Sequence, residues 1–380
     1  MKVFHNPLHA GYRPSRSFFN GRFTPYPEIP ERMEAILWAL REDGRFALAE
    51  PPGLGTEALT RVHAPGYVAL LESLCARLKP DEEFFPGVIA RAPLLLRSAY
   101  PRVRAGYYTV DSSTPLLAGS FAAALGAAAT ALAGAEALLA GEAEGYCLAR
   151  PPGHHAGRDF WAGYCLINHA ALAAATLGEL GKIAILDVDY HHGNGTQDIF
   201  YDRDDVLYVS LHCDPREAYP YIAGAAEETG TGPGLGCNRN LPLPGGTAWA
   251  EYAPALETAL EAVRRFGPAA LVLSLGFDAL EGDPIGTFRL RPEDFRAIGA
   301  RVRELGLPTL VMQEGGYRVA ALGEAALQFF NGMVFDGMVF DGLIPKSKTE
   351  LATEAHPKDR ERLRTRPHPR PAGTPSPRCR

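Results

Sequence analysis

The sequence predicts an α/β fold with a central, mostly parallel β-sheet flanked by helices. Two observations carry this prediction: apolar runs of strand length recur along the chain, and segments of helical character separate them. A strand that is buried on both faces has no polar side, so near-continuous apolar runs are typical of parallel sheets covered on both faces. The alternation of the two kinds of segment indicates βαβ units.

The predicted elements begin at about residue 119. Helices are expected over 119–140, 166–180, 248–265 and 292–305, and strands over 146–149, 182–189, 206–212, 269–278 and 308–316. The segment 81–106 is less regular. A long, glycine-rich connection runs from Cys213 to Thr247, and a loop of that length within a compact domain is usually functional.

The composition favours a globular protein of the cytoplasm. The chain has 380 residues, of which 46% are hydrophobic, and a net charge of −6, so we expect no nucleic-acid partner. No apolar run has the length of a signal peptide or a membrane span, so we expect no membrane association. The six cysteines are scattered without a C-x-x-C pair, which indicates buried thiols.

The C-terminal part differs from the body in charge and composition. MVFDG occurs at 333–337 and again at 338–342, and residues 343–380 contain ten Lys or Arg against four Asp or Glu. This proline-rich, apolar-poor composition is typical of disorder. We therefore expect one catalytic domain over 1–332 and a basic, repeat-containing tail over 333–380.

Polar residues follow several apolar strands at the point where each strand ends, which is where open α/β sheets place their ligand sites. Asp187, Asp189 and His191 alternate at the end of one strand, and Asp278 ends another. Two carboxylates and an imidazole give three protein ligands and leave room for water and substrate, as a catalytic zinc site requires. Asp189, His191 and Asp278 are the predicted ligands.

The remaining catalytic candidates follow two other strands. His154 and His155 lie in a Pro-Pro-Gly turn, and a histidine exchanges protons near neutral pH, so one of the pair can serve as general base and acid. Tyr317 follows a Gly-Gly turn and could stabilise a developing oxyanion. Taken alone, each of these residues is as readily structural, and it is their combination that favours a site.

These segments resemble the motifs of the histone deacetylase superfamily, and in particular its bacterial acetylpolyamine amidohydrolase branch. The resemblance rests on RPPGHHAGRDFWAGYCLIN, ILDVDYHHGNGTQDIFY, VSLHCDP, SLGFDALEGDP and QEGGY, and GYYTVDSSTPL and AEETGTGPGLG also fit that branch. It implies an arginase/deacetylase-like fold and zinc-dependent hydrolysis of an acetylated amine such as an acetylpolyamine or acetyl-lysine.

The resemblance also implies a role for each matching residue. His155 would be the general base, His154 its companion and Tyr317 the carbonyl-polarising donor, with Asp187 behind His154 and Asn194 behind His155. A structural potassium or sodium ion would be held by Asp187, Asp189, Ser210 and the carbonyls of His191 and Leu211. A second, looser cation site would use carbonyls around Phe200, Arg203 and Val206. The walls of the substrate channel would be Gly163, Tyr164 and Tyr219.

One departure concerns the substrate. Polyamine-selective members are expected to place carboxylates at the channel mouth, yet residues 84–110 hold no Asp or Glu. Arginines stand there and in the N-terminal stretch instead, and like charges oppose the binding of a polycation. Those arginines are Arg13, Arg16, Arg22, Arg91, Arg97, Arg102 and Arg104, and the nearby acids Asp81, Glu82 and Glu83 could compensate for them. The segment before Gly106 also shapes a dimer in polyamine members, so a homodimer is plausible here.

Two other functions stay open at this point. A binuclear manganese ureohydrolase of the same fold would need extra carboxylates to bridge two metals, and His192-Gly193-Asn194 stands where they would be expected. A non-catalytic acyl-amine sensor would be expected to have lost a ligand, the base or the tyrosine, and this chain retains all of them.

Overall fold

An eight-stranded β-sheet forms the centre of the computed structural model, which describes residues 1–335. The strands of the chain, in order, are β1 (Lys2–His5), β2 (Arg16–Phe19), β3 (Arg22–Pro25), β4 (Ala47–Ala49), β5 (Glu144–Leu148), β6 (Ile183–Asp187), β7 (Val206–Cys213), β8 (Asn238–Leu243), β9 (Ala270–Leu275) and β10 (Thr309–Gln313). The sheet order is β4-β1-β5-β10-β9-β6-β7-β8, and every pair in it is parallel. Strands β2 and β3 form a separate antiparallel hairpin. The predicted α/β fold with a mostly parallel central sheet is confirmed.

Helices cover both faces of this sheet. They are α1 (Glu31–Asp43), α2 (Pro65–Cys75), α3 (Pro101–Arg104), α4 (Ser120–Leu139), α5 (His169–Leu177), α6 (Asn194–Phe200), α7 (Trp249–Phe266), α8 (Pro292–Arg303) and α9 (Val319–Phe330). Short 3₁₀ turns lie at Pro7–Gly11, Thr56–Arg61, Pro93–Arg97, Ala105–Tyr107, Gly178–Leu180 and Gly232–Gly234, and a π-turn at Asn331–Phe335 extends α9.

The apolar strands are buried on both faces, as their sequences predict. In β6, Ala184 and Leu186 face the core formed with α1, α7, α8 and α9, whereas Ile183 and Ile185 face the core formed with α2, α4 and α5. Among the helices of residues 1–335, α4 alone is long and apolar enough to cross a bilayer. Most of its residues are buried, and they contribute to the core that α4 forms with α2 and α5, so α4 is a core helix.

Two elements differ from the prediction for local reasons. Helix α5 begins at His169 and not at residue 166, because the Asn168 side chain accepts a hydrogen bond from the backbone of Ala171 (2.9 Å) and caps the helix there. The predicted loop from Cys213 to Thr247 contains the edge strand β8. Its polar sequence gave no apolar signal, because Asn238 and Asn240 are buried through hydrogen bonds.

The first three residues of the repeat belong to the packed body. Met333, Val334 and Phe335 are buried, and the ring of Phe335 lies against that of Phe46 with centroids 5.4 Å apart. The rest of the repeat and the predicted basic tail lie outside the described residues. The division of the chain into 1–332 and 333–380 therefore stays a prediction.

Candidate active site

The predicted site residues meet at the carboxyl ends of four neighbouring strands, β5, β10, β9 and β6. The chain leaves β6 at Asp187 and β9 at Leu275, and the predicted metal ligands follow these strand ends within four residues. Because parallel strands end at the same edge of a sheet, side chains that are distant in the sequence converge there. The strands that carry this edge contribute residues to both apolar cores.

Asp189, His191 and Asp278 form a buried cluster with one ligand atom of each within 4.8 Å of the others. His191 Nδ1 lies 3.0 Å from Asp278 Oδ2 and 3.4 Å from Asp189 Oδ1. Backbone groups orient the carboxylates: Tyr190 N–H donates to Asp278 Oδ1 (3.0 Å), and Gly315 N–H donates to Asp189 Oδ2 (2.7 Å). The three side chains therefore direct one potential metal-ligand atom each toward the same point.

The chemistry of this cluster fits a divalent metal ion. Burial, and then the charge of Asp189, raises the pKa of Asp278 to about 7, so the ionised form of this carboxylate needs a nearby positive charge. A Cβ atom at Gly315 would lie 2.7 Å from Asp189 Oδ2 and 3.0 Å from Asp278 Cγ, so a side chain there would displace the ligands. A cation held by the three residues satisfies both carboxylates and keeps a position open for other ligands.

The two histidines of the Pro-Pro-Gly turn have different partners and opposite charge preferences. Burial lowers the pKa of His154, but Asp187, whose Oδ2 lies 3.0 Å from Nδ1, and Asp189 raise it to about 10. His155 Nδ1 lies 2.8 Å from the neutral Asn194 Oδ1. Burial and the neighbouring His154 hold the pKa of His155 well below 6.5. The surroundings thus favour the protonated form of His154 and the neutral form of His155.

A cavity of about 520 Å³ leads to these groups, and the three predicted channel residues line it. His155, His191 and Tyr317 lie in its wall together with Gly163, Tyr164 and Tyr219. Gly163 has a φ of +53°, and a Cβ there would lie 2.6 Å from Cγ of the His155 ring, so only glycine fits this wall. The hydroxyl of Tyr317 makes no hydrogen bond within residues 1–335 and is free to contact a ligand.

Three residues that support this wall were not assigned a role from the sequence. Asp111 Oδ2 accepts hydrogen bonds from the Tyr219 hydroxyl (2.6 Å) and from Gly163 N–H (2.8 Å), and so joins two sides of the channel. The guanidinium of Arg32 lies 4.6 Å from the centre of the Tyr317 ring. Asp283 Oδ2 accepts from Tyr317 N–H at 2.6 Å. Asp111 and Asp283 occur inside the motifs GYYTVDSSTPL and SLGFDALEGDP. Their position in these motifs is the feature of the sequence that could have indicated a functional role.

A second buried group lies behind the histidines. His154, Cys165 and Glu314 also have potential ligand atoms within 4.8 Å of one another. Glu314 Oε2, however, accepts from Gly153 N–H (2.7 Å) and His154 N–H (3.1 Å), and its Oε1 accepts from the Ser274 hydroxyl (3.1 Å). Protein donors therefore satisfy this carboxylate, and the group supports the histidine turn. It offers one carboxylate, where a binuclear ureohydrolase would need a bridging set.

Three residues of the implied monovalent-cation site lie on the adjacent strands β6 and β7. Asp187 of β6 and Ser210 of β7 are register partners, and Leu211 follows Ser210. In this structure the Ser210 hydroxyl lies 2.7 Å from His212 Nδ1. For the second implied site, the Phe200 carbonyl accepts from Arg203 N–H at 3.0 Å.

Carboxylates partner several of the arginines that opposed a polyamine substrate. Ion pairs join Arg102 to Glu82 (2.6 Å), Arg16 to Glu83 (3.0 Å), Arg91 to Asp159 (2.7 Å) and Arg13 to Glu31 (2.7 Å). The compensation by the acids just upstream of Phe84 therefore takes place. The region therefore carries less uncompensated positive charge than its sequence alone indicates.

Comparison with known proteins agrees with this geometry. Residues 26–333 match the family model described as the histone deacetylase domain. The chain is 41% identical over 334 residues to acetylpolyamine amidohydrolase 1 of Pseudomonas aeruginosa, covering 86% of this chain and 95% of that one. It is also 41% identical over 331 residues to acetylpolyamine amidohydrolase of Mycoplana ramosa, covering 85% and 96%.

A solved structure agrees with these sequence matches. The crystal structure of acetylpolyamine aminohydrolase from Burkholderia pseudomallei superposes with a TM-score of 0.84 at 38% identity, covering 88% of this chain and 98% of that chain. The resemblance predicted from the motifs is thereby confirmed, and this chain belongs to the histone deacetylase family.

Proposed function

We propose that this protein is a zinc-dependent deacetylase that hydrolyses an acetylated amine to acetate and the free amine. One observation carries the proposal: an open three-ligand cluster, a neutral histidine and a free tyrosine hydroxyl line the same cavity. That combination matches the requirements of amide hydrolysis, which are a metal position, a base and an oxyanion donor. The printed names of the similar proteins, amidohydrolases of acetylpolyamines, support the same reaction class.

Asp189, His191 and Asp278 are the proposed zinc ligands. When bound there, zinc would polarise the amide carbonyl and lower the pKa of water at the open position. The ligand set, with one nitrogen and two carboxylate oxygens, suits zinc. Gly315 N–H donates to Asp189, and because glycine has no Cβ atom, the space between the two carboxylates stays free for the metal.

His155 is the proposed general base and acid. Because its pKa is lowered, it is neutral near pH 7, so it can take a proton from the attacking water and return it to the leaving amine. His154 stays protonated beside it, held by Asp187, and its positive charge stabilises the negative charge that develops on the substrate. Tyr317 donates a hydrogen bond to the carbonyl oxygen as that oxygen becomes negative.

The aromatic walls define the shape of the acceptable substrate. Tyr164 and Tyr219 flank the cavity, and the Tyr219 ring lies 4.9 Å from the His155 ring, centre to centre. Such walls bury the methylenes of an alkyl-amide chain without competing for its hydrogen bonds. A linear primary amine carrying an acetyl group fits these walls.

A structural potassium or sodium ion is proposed beside the zinc. Its ligands would be the side chains of Asp187, Asp189 and Ser210 and the carbonyls of His191 and Leu211; carbonyls around Phe200, Arg203 and Val206 would form the second site. The pairing of Asp187 with Ser210 across β6 and β7 supports the first site. Oxygen-rich surroundings of this kind suit hard cations.

A homodimer and a cytoplasmic location are also proposed. In the segment before Gly106, Leu94 and Tyr100 are each 72% exposed, which supports a role of this segment in association. The cysteines at 75, 147, 165, 213 and 237 are free thiols, which agrees with a reducing compartment.

The test combines metal removal with one substitution. Chelation is expected to abolish hydrolysis of acetylputrescine and an acetyl-lysine peptide, and zinc to restore it. Tyr317→Phe is expected to lower kcat about 10²–10³-fold because it removes one oxyanion donor. Tyr201→Phe, a tyrosine outside the cavity, is the matched control. A metal-free protein as active as the zinc form would refute the proposal.

A further inference from the structure

The outer part of the cavity carries one positive and one negative side chain. Apart from histidines and tyrosines, the ionisable residues in its wall are Arg22 and Glu217. Arg22 begins strand β3, directly after the Asn20–Gly21 turn of the hairpin, and Glu217 lies in the connection after β7. Both side chains belong to exposed residues, so they stand where the cavity meets solvent.

Within the part of the chain that the structure describes, neither charge has an ionic partner. The neighbouring arginines of the same region are paired, Arg16 with Glu83 and Arg13 with Glu31. Arg22 has no carboxylate within the 4.0 Å of an ion pair. Glu217 uses Oε2 to accept a hydrogen bond from Gly245 N–H (3.0 Å), and its other oxygen is free.

The rest of the outer wall is uncharged. Ser17 and Ser113 are buried hydroxyl residues of the wall, and the Ser17 hydroxyl donates to the Ser113 carbonyl at 2.9 Å. Thr24, Phe19 and Tyr221 complete this side. The outer cavity therefore presents a balanced pair of charges in a neutral, hydroxyl- and aromatic-lined wall.

A polyamine tail does not match this arrangement. Its distal ammonium groups all carry positive charge, so it would meet one carboxylate and one repelling guanidinium. A group that carries an ammonium and a carboxylate on the same carbon offers the opposite charge to each of the two side chains. Charge complementarity of this kind selects among partners more than it raises affinity.

We propose that the substrate is an ω-acetamido α-amino acid, such as free Nε-acetyl-lysine. Its α-carboxylate contacts Arg22 and its α-ammonium contacts Glu217, while the acetamide reaches Tyr317. This assignment rests on the proposed deacetylation and names the substrate class of that same site. Because both contacts are exposed, each changes kcat/KM by about two- to fivefold.

Four substrates of equal chain length test the proposal with the zinc-loaded full chain. Nε-acetyl-lysine carries both charges, N-acetylcadaverine lacks the carboxylate, 6-acetamidohexanoate lacks the ammonium, and N-pentylacetamide lacks both. Ratios of kcat/KM within one enzyme cancel any general loss of activity. The wild type is expected to favour Nε-acetyl-lysine over each singly charged analogue by the stated factor, and less so at high salt.

Two substitutions separate the contacts. Arg22→Gln is expected to bring the ratio of Nε-acetyl-lysine to N-acetylcadaverine to about one and to leave the ratio to 6-acetamidohexanoate in place. Glu217→Gln is expected to do the reverse. Arg13→Gln and Glu31→Gln, which change charge in an ion pair outside the cavity, are the matched controls.

Two results would overturn the assignment while leaving the deacetylase itself intact. One is hydrolysis of acetylspermidine or N-acetylcadaverine with a higher kcat/KM than that of Nε-acetyl-lysine. The other is a set of ratios that neither substitution changes. Failure of the proposed function looks different, because then the zinc-loaded enzyme hydrolyses none of these amides.

Discussion

Asp283→Asn tests whether a buried carboxylate positions the proposed oxyanion donor. Asp283 Oδ2 accepts hydrogen bonds from the N–H groups of Tyr317 (2.6 Å) and Arg318 (3.0 Å). Its Oδ1 accepts from Ile285 (3.0 Å) and Gly286 (3.3 Å). One side chain thus joins the tyrosine turn to the loop that forms the opposite rim of the cavity.

The expected magnitude follows from the number of acceptors lost. Asparagine keeps one oxygen and replaces the other with an NH₂ group, so two of the four backbone N–H groups face a donor. An unpaired buried N–H costs about 1–3 kcal/mol, so with two of them the free energy of unfolding should fall by about 2–6 kcal/mol. A displacement of the tyrosine by about 1 Å lowers kcat by up to about 10²-fold.

The assay is a double-mutant cycle between Asp283→Asn and Tyr317→Phe, with kcat and KM measured for one acetylated amine at saturating zinc. If Asp283 acts through the tyrosine hydroxyl, its substitution lowers kcat in the wild type and has little further effect in the Phe background. Urea denaturation of each variant gives the stability change separately. Asp294→Asn, which removes the carboxylate acceptor of the Arg291 N–H at the start of α8, is the control.

An equal fall in kcat in both backgrounds would show that Asp283 does not act through Tyr317. An unchanged kcat with a lower free energy of unfolding would leave the carboxylate a purely structural role. Either result would refute the positioning argument, and neither would touch the proposed reaction.

Three further predictions follow from the same geometry. Burial lowers the pKa of His63 to about 4, so as the pH falls from 6.5 to 4 the unfolded chain binds a proton that the folded chain does not, and stability is lost. His63→Gln should therefore reduce that loss by up to about 3 kcal/mol, measured by urea denaturation at several pH values. Gly315→Ala should abolish stoichiometric metal binding, measured by elemental analysis, because its Cβ would displace the ligand carboxylates. Asn194→Asp should raise the pKa of His155 and move the acid limb of the kcat profile to higher pH, since a carboxylate favours the protonated imidazole.

The parts of the molecule that could be predicted from the sequence are those with a local signal. Strands β6, β9 and β10 are apolar runs, and the proposed ligands Asp189 and Asp278 follow two of them within three residues, so the edge of the sheet brings them together. The β8 strand gave no such signal, because Asn238 and Asn240 are buried through side-chain hydrogen bonds and not through apolarity. The N-terminal strand β1 was not predicted either, because its four residues are too few to form a recognisable apolar run.

The supporting residues were missed for a different reason. Asp283 holds Tyr317 through a backbone N–H that is 34 residues away, and Arg32 contacts the same ring from a helix at the other end of the chain. Every residue except proline has a backbone N–H, so a contact to that group does not depend on the residue type of the partner and cannot be recognised from it. Their roles depend on three-dimensional proximity, which the spacing of residues in one sequence does not specify.

Charge at the cavity mouth shows the same limit in a way that bears on function. The sequence presents seven arginines in the two stretches expected near the entrance, and counting them argues against a cationic substrate. In the folded chain four are paired with carboxylates, and Arg22 is the one that lines the cavity. The buried residues of the proposed reaction and the exposed residues of the proposed substrate contact are therefore separate features. Substitutions at Arg22 or Glu217 can change the preferred amine while the metal cluster and its histidines keep the same chemistry.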